Sequence, residues 1–204
     1  MKSKKDKPEN AKSGVYNPLA IPNLGKSLTD AFLEQPLRPL PLPSEPFPGA
    51  GIYGLYYVPA GEPYRFYEVI ARRGLPLYIG KAVTKGTAKS LFTRLGNHRE
   101  SIKKAPNLHV ADFRCRFLIV DDVWIPLGEQ LLIDKFQPLW NERIRGFGSK
   151  ALGKERVSQR PSQWDLLHPG RQLTTNSVSD KELAKLEADL VVYLNALAAE
   201  QDEG

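Results

Sequence analysis

Two apolar runs carry tyrosines at points where a side chain could act on a substrate. The run GIYGLYY, residues 51–57, contains Tyr53, and PLYIGKA, residues 76–82, places Tyr78 shortly before Lys81. A phenol can accept and pass on a proton, and an ammonium group can stabilise developing negative charge. Tyrosines in strands are more often half-buried packing residues, so neither run predicts catalysis by itself.

Four further polar side chains follow in chain order, namely Arg94, His98, Glu129 and Asn141. Arg94 and His98 are four residues apart, so a helix places them on one face. Each has an ordinary structural explanation, since a buried histidine is usually a hydrogen-bonded core residue and an inward glutamate can pair with an arginine. Taken singly, each residue favours its ordinary explanation, but their combination with the two tyrosines in this order does not look accidental.

The elements that must position these residues are two strands, a helix, a third strand and a second helix, in that order. Composition and a period of two predict strands over 51–58, 75–80 and 111–120, the first with Tyr53, Leu55 and Tyr57 on one face. Helical spacing predicts helices over 88–104 and 125–136, the second with Glu129 on the face of Leu132 and Ile133.

The regions outside these elements differ in composition. Residues 1–14 form a basic arm, and a short helix is predicted near 26–34. Prolines between 36 and 48 predict an extended strap, which serves as a spacer or lies across the domain or a partner subunit. The Gly- and Arg-rich residues 142–171 read as a basic loop region. A capping box at 179–182 opens a C-terminal amphipathic helix.

These observations predict three parts. They are a basic, proline-rich N-terminal arm over 1–48, a core over 49–146, and a basic loop region with the C-terminal helix packed on the core over 147–204.

The net charge of +6 is concentrated in the middle of the chain. Residues 71–116 hold eleven Lys or Arg against Glu100 and Asp112, a local charge of +9, whereas residues 180–204 are acidic. A basic centre favours a polyanionic partner such as nucleic acid, although a solvated basic surface is equally compatible with the charge alone.

The rest of the composition excludes several classes of protein. The single cysteine, Cys115, excludes a disulfide framework and a cysteine-rich zinc site. The chain has no apolar stretch of about 18 residues that could span a membrane, and its basic N-terminus lacks the apolar segment of a secretory signal. We therefore expect a cytoplasmic protein that does not bind membranes.

The sequence resembles the GIY-YIG nuclease superfamily over about 51–141. GIY at 51–53 and YIG at 78–80 are literal matches, and an Arg-bearing helix, a Glu-bearing helix and an Asn follow in order. The resemblance implies an α+β GIY-YIG fold, a small three-stranded antiparallel sheet flanked by helices. The segments Arg-x-x-x-His, GEQ and PLWN look most like the type II restriction endonucleases that cut CCGCGG. The long connection between the tyrosine strands departs from short family members, and could be a DNA-contacting insertion.

The resemblance implies a role for each residue in Mg²⁺-dependent phosphodiester hydrolysis, with Mn²⁺ as a possible substitute. Glu129 would bind a single metal ion, and Arg94 would clamp the scissile phosphate. Tyr53 would be the general base, alone or with His98. Its pKa would be lowered by Arg94, Lys81 and the metal.

Three more roles are implied less specifically. Tyr78 would position the water or the phosphate, and Lys81 would add positive charge. Asn141 would orient either the Glu129 side of the metal site or the water molecules bound to the metal.

The implied partner is double-stranded DNA, cut by a homodimer because a two-fold protein mirrors a palindromic site. A cognate DNA methyltransferase would be a functional partner rather than a bound subunit. Candidate DNA contacts are Arg72, Arg73, Lys85, Arg114, Arg116, Arg143, Arg145, Arg156 and Arg160, with Arg65 as a further candidate for base recognition.

Two alternatives remain at this stage. One is a GIY-YIG nicking nuclease of the repair or homing type, disfavoured because the chain shows no cysteine-rich finger or obvious helix-turn-helix. The other is a catalytically silent DNA-binding module, disfavoured because every motif residue is present.

Overall fold

A computed structural model describes residues 17, 20–40, 46–84, 90–148, 161–171 and 180–199. Its elements in chain order are α1 (Ile21–Glu34), β1 (Arg38–Pro39), β2 (Gly51–Tyr57), α2 (Glu68–Arg72), β3 (Pro76–Ala82), α3 (Ser90–Lys104), a 3₁₀ turn (Val110–Asp112), β4 (Phe113–Ile119), α4 (Ile125–Phe136), α5 (Leu139–Glu142), α6 (Gln163–Leu167) and α7 (Asp180–Ala199).

The strands form one antiparallel sheet in the order β1-β4-β2-β3. The α+β class with an antiparallel sheet flanked by helices is thus confirmed, but the sheet has four strands rather than the predicted three. The additional strand comes from the proline-rich segment, where Arg38 pairs with Cys115 and Pro39 with Arg114. A proline cannot donate to a strand ladder, so it suits this edge position. This part of the strap therefore lies along the domain.

The central strand β2 is buried along its whole length because both faces of the sheet are covered. Tyr53, Leu55 and Tyr57 share one face, as predicted, and belong to the larger core. Ile52 points to the opposite face, where a smaller core contains Phe32 of α1 and residues of α4.

Most predicted helices are confirmed. The helix α4 has the predicted bounds, and the apolar residues predicted to face inward on α3 are buried together with His98. The helix α1 begins at Ile21, several residues before the prediction. In the predicted loop 142–171, α6 is a short helix capped by Ser162, whose side chain accepts a hydrogen bond from Asp165 N. None of the helices in the described ranges combines the length and apolar character needed to cross a bilayer.

Candidate active site

Pairing between the two motif strands brings Tyr53 across from Gly80. The Tyr53 ring passes directly over this glycine, because a Cβ atom built at Gly80 would lie 2.5 Å from the Tyr53 hydroxyl oxygen. Real Cβ atoms do not make such a short contact, so the last residue of YIG must lack a side chain for Tyr53 to take this position.

The Tyr53 hydroxyl is held by two side chains of α3. It lies 2.6 Å from His98 Nε2, and Arg94 Nε donates to it over 3.3 Å. The helical spacing of four residues places both partners on one face of α3, as the sequence predicts. Tyr53 is fully buried and His98 is 2% exposed, so this hydrogen-bonded group is shielded from water.

Burial sets the protonation states of this group. It raises the pKa of Tyr53 well above its usual value, the Tyr78 charge raises it further, and Arg94 lowers it only in part. Arg94 lowers the Tyr53 pKa as predicted, but the loss of hydration outweighs this cation among the described residues. Burial, followed by Arg94 and Arg171, lowers the pKa of His98 well below 6.5. At neutral pH the Tyr53 hydroxyl is therefore protonated and the His98 ring is neutral, and the hydroxyl donates to Nε2 when the ring carries its proton on Nδ1.

Lys81 and Glu129 face each other across an open cleft. The Lys81 Nζ lies 2.7 Å from Glu129 Oε2, with the two side chains 42% and 20% exposed. The cleft has a volume of about 530 Å³, and Tyr78 and Arg94 also line it. The acidic group and both cations predicted from the sequence thus lie together.

Glu129 is the carboxylate in this cleft that could hold a divalent cation. In the part of the chain that the structure describes, no three His, Cys, Asp or Glu side chains are grouped for metal binding. A single carboxylate fits Mg²⁺, which keeps several waters and is often completed by phosphate oxygens. A site built entirely from protein ligands is not formed by the described residues.

Tyr78 lies at the border between the core and the cleft. Its ring centroid is 6.2 Å from that of Tyr53, and its half-buried side chain lines the cleft. Burial raises the pKa of its phenol, which Arg94 partly offsets. A neutral phenol at this position can donate or accept a hydrogen bond from a molecule in the cleft.

Asn141 lies in α5 and contacts the backbone of β3. Its Oδ1 accepts from Ile79 N, and its Nδ2 donates to Ile79 O, both over 2.9 Å. Sequence reasoning placed this amide beside Glu129 or the waters of its metal, whereas the hydrogen bonds that the structure shows for it are to Ile79. Asn141 instead fixes the strand between Tyr78 and Gly80.

Comparison with known proteins identifies the family to which this site belongs. The model of the Eco29kI GIY-YIG domain matches residues 45–194. The chain belongs to this family. The Eco29kI family is one of restriction endonucleases, so the chain is a restriction-type GIY-YIG nuclease. No curated protein matches the chain.

The match to the Eco29kI family extends past the predicted core and includes a turn that sequence reasoning missed. In this turn, Gly146–Gly148, the Phe147 ring stacks on the His98 ring at a centroid distance of 4.6 Å. The carbonyl of Gly148 accepts from Arg94 Nη2 over 2.7 Å. The turn lies in the predicted basic loop region 142–171, where its sequence signal is an aromatic residue between two glycines.

The predicted DNA contacts of this Eco29kI-family chain lie in varied surroundings. Arg73 Nη1 donates to Leu197 O over 2.6 Å, and Arg143 lies over the Tyr193 ring, so both contact α7. Arg114 donates to Ala111 O, and Arg116 lies over the Tyr56 ring. Arg65 pairs with Glu187. Arg72 and Arg145 are exposed, whereas Lys85, Arg156 and Arg160 are outside the described residues.

Proposed function

We propose that the protein is a type II restriction endonuclease that hydrolyses phosphodiester bonds in double-stranded DNA at a GC-rich palindrome, with CCGCGG as the first candidate site. The observation that carries this proposal is that Arg94 joins two groups: it hydrogen-bonds the buried Tyr53–His98 pair, and it lines the cleft that also contains the Lys81–Glu129 pair. Phosphodiester hydrolysis requires an aligned water, an acceptor for its proton and cations for the developing charge.

In the proposed mechanism, Tyr53 takes a proton from the attacking water while its own proton passes to His98 Nε2. This relay does not require a tyrosinate, so the raised pKa of Tyr53 is compatible with it. It requires a neutral His98 with Nε2 free to accept, which agrees with the lowered pKa of this ring. Because the Tyr53 hydroxyl is buried, the mechanism also requires that its 3.3 Å bond from Arg94 open to admit the water.

Arg94 and Lys81 would supply positive charge to the scissile phosphate. Part of the Arg94 guanidinium is used on Tyr53, Tyr78 and Gly148, and its remaining donors would bind phosphate oxygens. Lys81 is paired with Glu129, and a divalent cation held by that carboxylate would repel the ammonium group toward a phosphate. Tyr78 would align the water or the phosphate.

Glu129 would hold the metal ion, proposed to be Mg²⁺ with Mn²⁺ as a substitute. When bound, the ion would stabilise the negative charge that develops on the phosphate oxygens. Asn141 would keep β3, and with it Tyr78, in place for this chemistry.

A homodimer is proposed because a palindrome must be cut on both strands, which a two-fold symmetric pair of sites achieves. A cognate methyltransferase would protect the host site without being a bound subunit. The exposed Arg72 and Arg145 are the first candidates for contacts to the DNA.

Digestion of a plasmid with one CCGCGG site, in Mg²⁺ or EDTA and beside Glu129→Gln, tests the proposal. Linear product that requires both Mg²⁺ and Glu129 supports it. Persistent nicked circles would indicate a nicking enzyme instead. A protein that binds DNA but cuts neither this plasmid nor genomic DNA would be a silent DNA-binding module. Cleavage of genomic DNA but not of the plasmid would indicate a different recognition site.

A further inference from the structure

Arg171 is an almost fully buried arginine, 9% exposed, in the region 142–171 that its composition predicts to be an extended basic loop. Its guanidinium uses all three nitrogens. Nη1 donates to Phe147 O over 2.9 Å, Nη2 to Gly146 O over 3.1 Å, and Nε to Asp165 Oδ1 over 2.7 Å. A planar fork can satisfy three acceptors in this way, which a lysine cannot reproduce.

The position of Arg171 is itself fixed by its neighbours. The other carboxylate oxygen of Asp165 accepts from Ser162 Oγ, and the Trp164 ring lies 4.2 Å from the guanidinium carbon of Arg171. Both carbonyls held by Arg171 belong to the turn Gly146–Gly148. Arg171 therefore ties this turn to α6.

The opposite side of the same turn contacts the hydrogen-bonded group around Tyr53. Phe147 stacks on the His98 ring with an interplanar angle of 19°, and the next carbonyl, that of Gly148, holds Arg94. The two side chains that bond the Tyr53 hydroxyl are thus both braced by the turn. Arg171 also contributes to the lowered pKa of His98, after burial and Arg94.

We propose that Arg171 is a positioning residue for the catalytic group, acting through the turn Gly146–Gly148 to orient His98 and Arg94 around Tyr53. The inference rests on the proposed nuclease function, in which those side chains relay the proton and bind the phosphate. It assigns a role in the reaction to the segment 161–171, which lies outside the predicted core.

Two variants test the proposal by different routes. Arg171→Lys keeps the charge but loses the fork, and Phe147→Leu removes the stacked ring while leaving the Arg171–Asp165 pair intact. Arg38→Lys is the matched control, because it replaces an arginine with a lysine at an exposed site on β1. Each variant is assayed for the single-turnover cleavage rate on DNA that the unaltered protein cuts, for DNA affinity, and for the NMR signals of the His98 ring without DNA.

We expect both variants to cut at least tenfold more slowly with less than a twofold change in DNA affinity, because small displacements of reacting groups slow catalysis strongly. The His98 ring signals should shift in both variants and not in the control. If Arg171→Lys does not fold, Asp165→Asn, which removes the charge that pairs with Arg171 Nε, takes its place with the same expected results.

Two results would overturn the inference. One is an unchanged cleavage rate in a folded variant. The other is a variant that is partly unfolded at the assay temperature and regains both its fold and its full cleavage rate on cooling. The role of Arg171 would then be merely structural. If the unaltered protein cuts no DNA, the proposed nuclease function is wrong. The NMR experiment still tests the inference in that case, because unshifted His98 signals in the variants would show that the turn does not hold this ring.

Discussion

The Tyr53 hydroxyl lies 2.6 Å from His98 Nε2, and both residues are buried. Neither carries a charge at neutral pH, because burial raises the pKa of the phenol and lowers that of the imidazole. A proton can therefore move along this pair without either group first becoming ionised. The glycine of the second motif makes the arrangement possible, since Gly80 leaves room for the Tyr53 ring.

Replacing Gly80 with alanine should disrupt the Tyr53–His98 contact. The new Cβ would lie 2.5 Å from the Tyr53 oxygen and 2.7 Å from Cζ, so the ring must move. We expect cleavage to fall by two orders of magnitude or more and the free energy of unfolding to fall by about 1–3 kcal/mol, the usual cost of overpacking. Single-turnover kinetics and denaturant unfolding measure the two effects.

Gly61→Ala is the matched control for this change. No atom lies within 4 Å of a Cβ built at Gly61, so the alanine should leave both quantities near those of the unaltered protein. Full activity in Gly80→Ala would show that the close approach of Tyr53 to the glycine is not required.

Lys81 should compete with a metal ion for Glu129. Its Nζ lies 2.7 Å from the carboxylate, and the pair is partly exposed, so its contribution is expected to be about 0.2–1 kcal/mol. Lys81→Met should therefore tighten Mn²⁺ binding by up to about fivefold without DNA, while slowing cleavage. Calorimetric titration with Mn²⁺ measures the affinity.

Lys103→Met, the same change at an exposed position near the end of α3, should leave Mn²⁺ affinity unaltered. Glu129→Gln should abolish the binding. Weaker Mn²⁺ binding in Lys81→Met would contradict the competition.

A second buried tyrosine–histidine pair should make stability depend on pH. His168 Nε2 contacts the Tyr67 hydroxyl, and His168 Nδ1 lies 3.0 Å from Asn107 Oδ1. Burial, followed by Arg171, lowers the pKa of His168 to about 3. Between this value and the unfolded pKa of about 6.5, the unfolded chain binds a proton that the folded protein does not, so stability falls as the pH decreases.

At pH 4.5 this group alone should cost about 3 kcal/mol relative to its contribution above pH 6.5, at about 1.4 kcal/mol per pH unit. Denaturant unfolding of the unaltered protein and of His168→Gln at pH 4.5 and 7.5 measures the difference. The variant should lose less stability on acidification, whereas exposed His109→Gln should not differ from the unaltered protein. Equal losses in all three proteins would exclude His168 as the cause.

The amide of Asn141 should matter for stability as well as for activity. Asn141→Ala leaves the N–H and C=O groups of Ile79 without their side-chain partner, which typically costs about 1–3 kcal/mol per unsatisfied buried group. We expect slower cleavage with Mn²⁺ binding retained, since the amide does not contact Glu129. Loss of Mn²⁺ binding, measured by calorimetry, would instead favour a contact to the metal waters.

The elements that carry the candidate site residues could be placed from the sequence because they are regular. The strands with Tyr53 and Tyr78, and the helices with Arg94 and Glu129, have clear periodicity, so their order and faces can be inferred. The direction in which the pKa of Tyr53 shifts could not be predicted, because it depends on how deeply the assembled fold buries the phenol.

The parts that sequence reasoning missed are short or depend on distant contacts. The strand Arg38–Pro39 and the helix Gln163–Leu167 are too short for a periodic signal. Arg171 looks like any solvated arginine in a basic segment, and only the tertiary fold supplies Asp165 and two carbonyls around it. Likewise, nothing local to Asn141 indicates that its amide bonds Ile79.

The relay from water through Tyr53 to His98 is tested most directly by the single-turnover cleavage rate of Tyr53→Phe at saturating enzyme and Mg²⁺. General-base catalysis contributes about 10²–10⁴-fold, so we predict a loss in that range with DNA affinity retained. Tyr56→Phe, the same change on the opposite face of β2, should cut at the normal rate. A Tyr53→Phe protein that cuts DNA as fast as the unaltered protein would contradict the proposed mechanism.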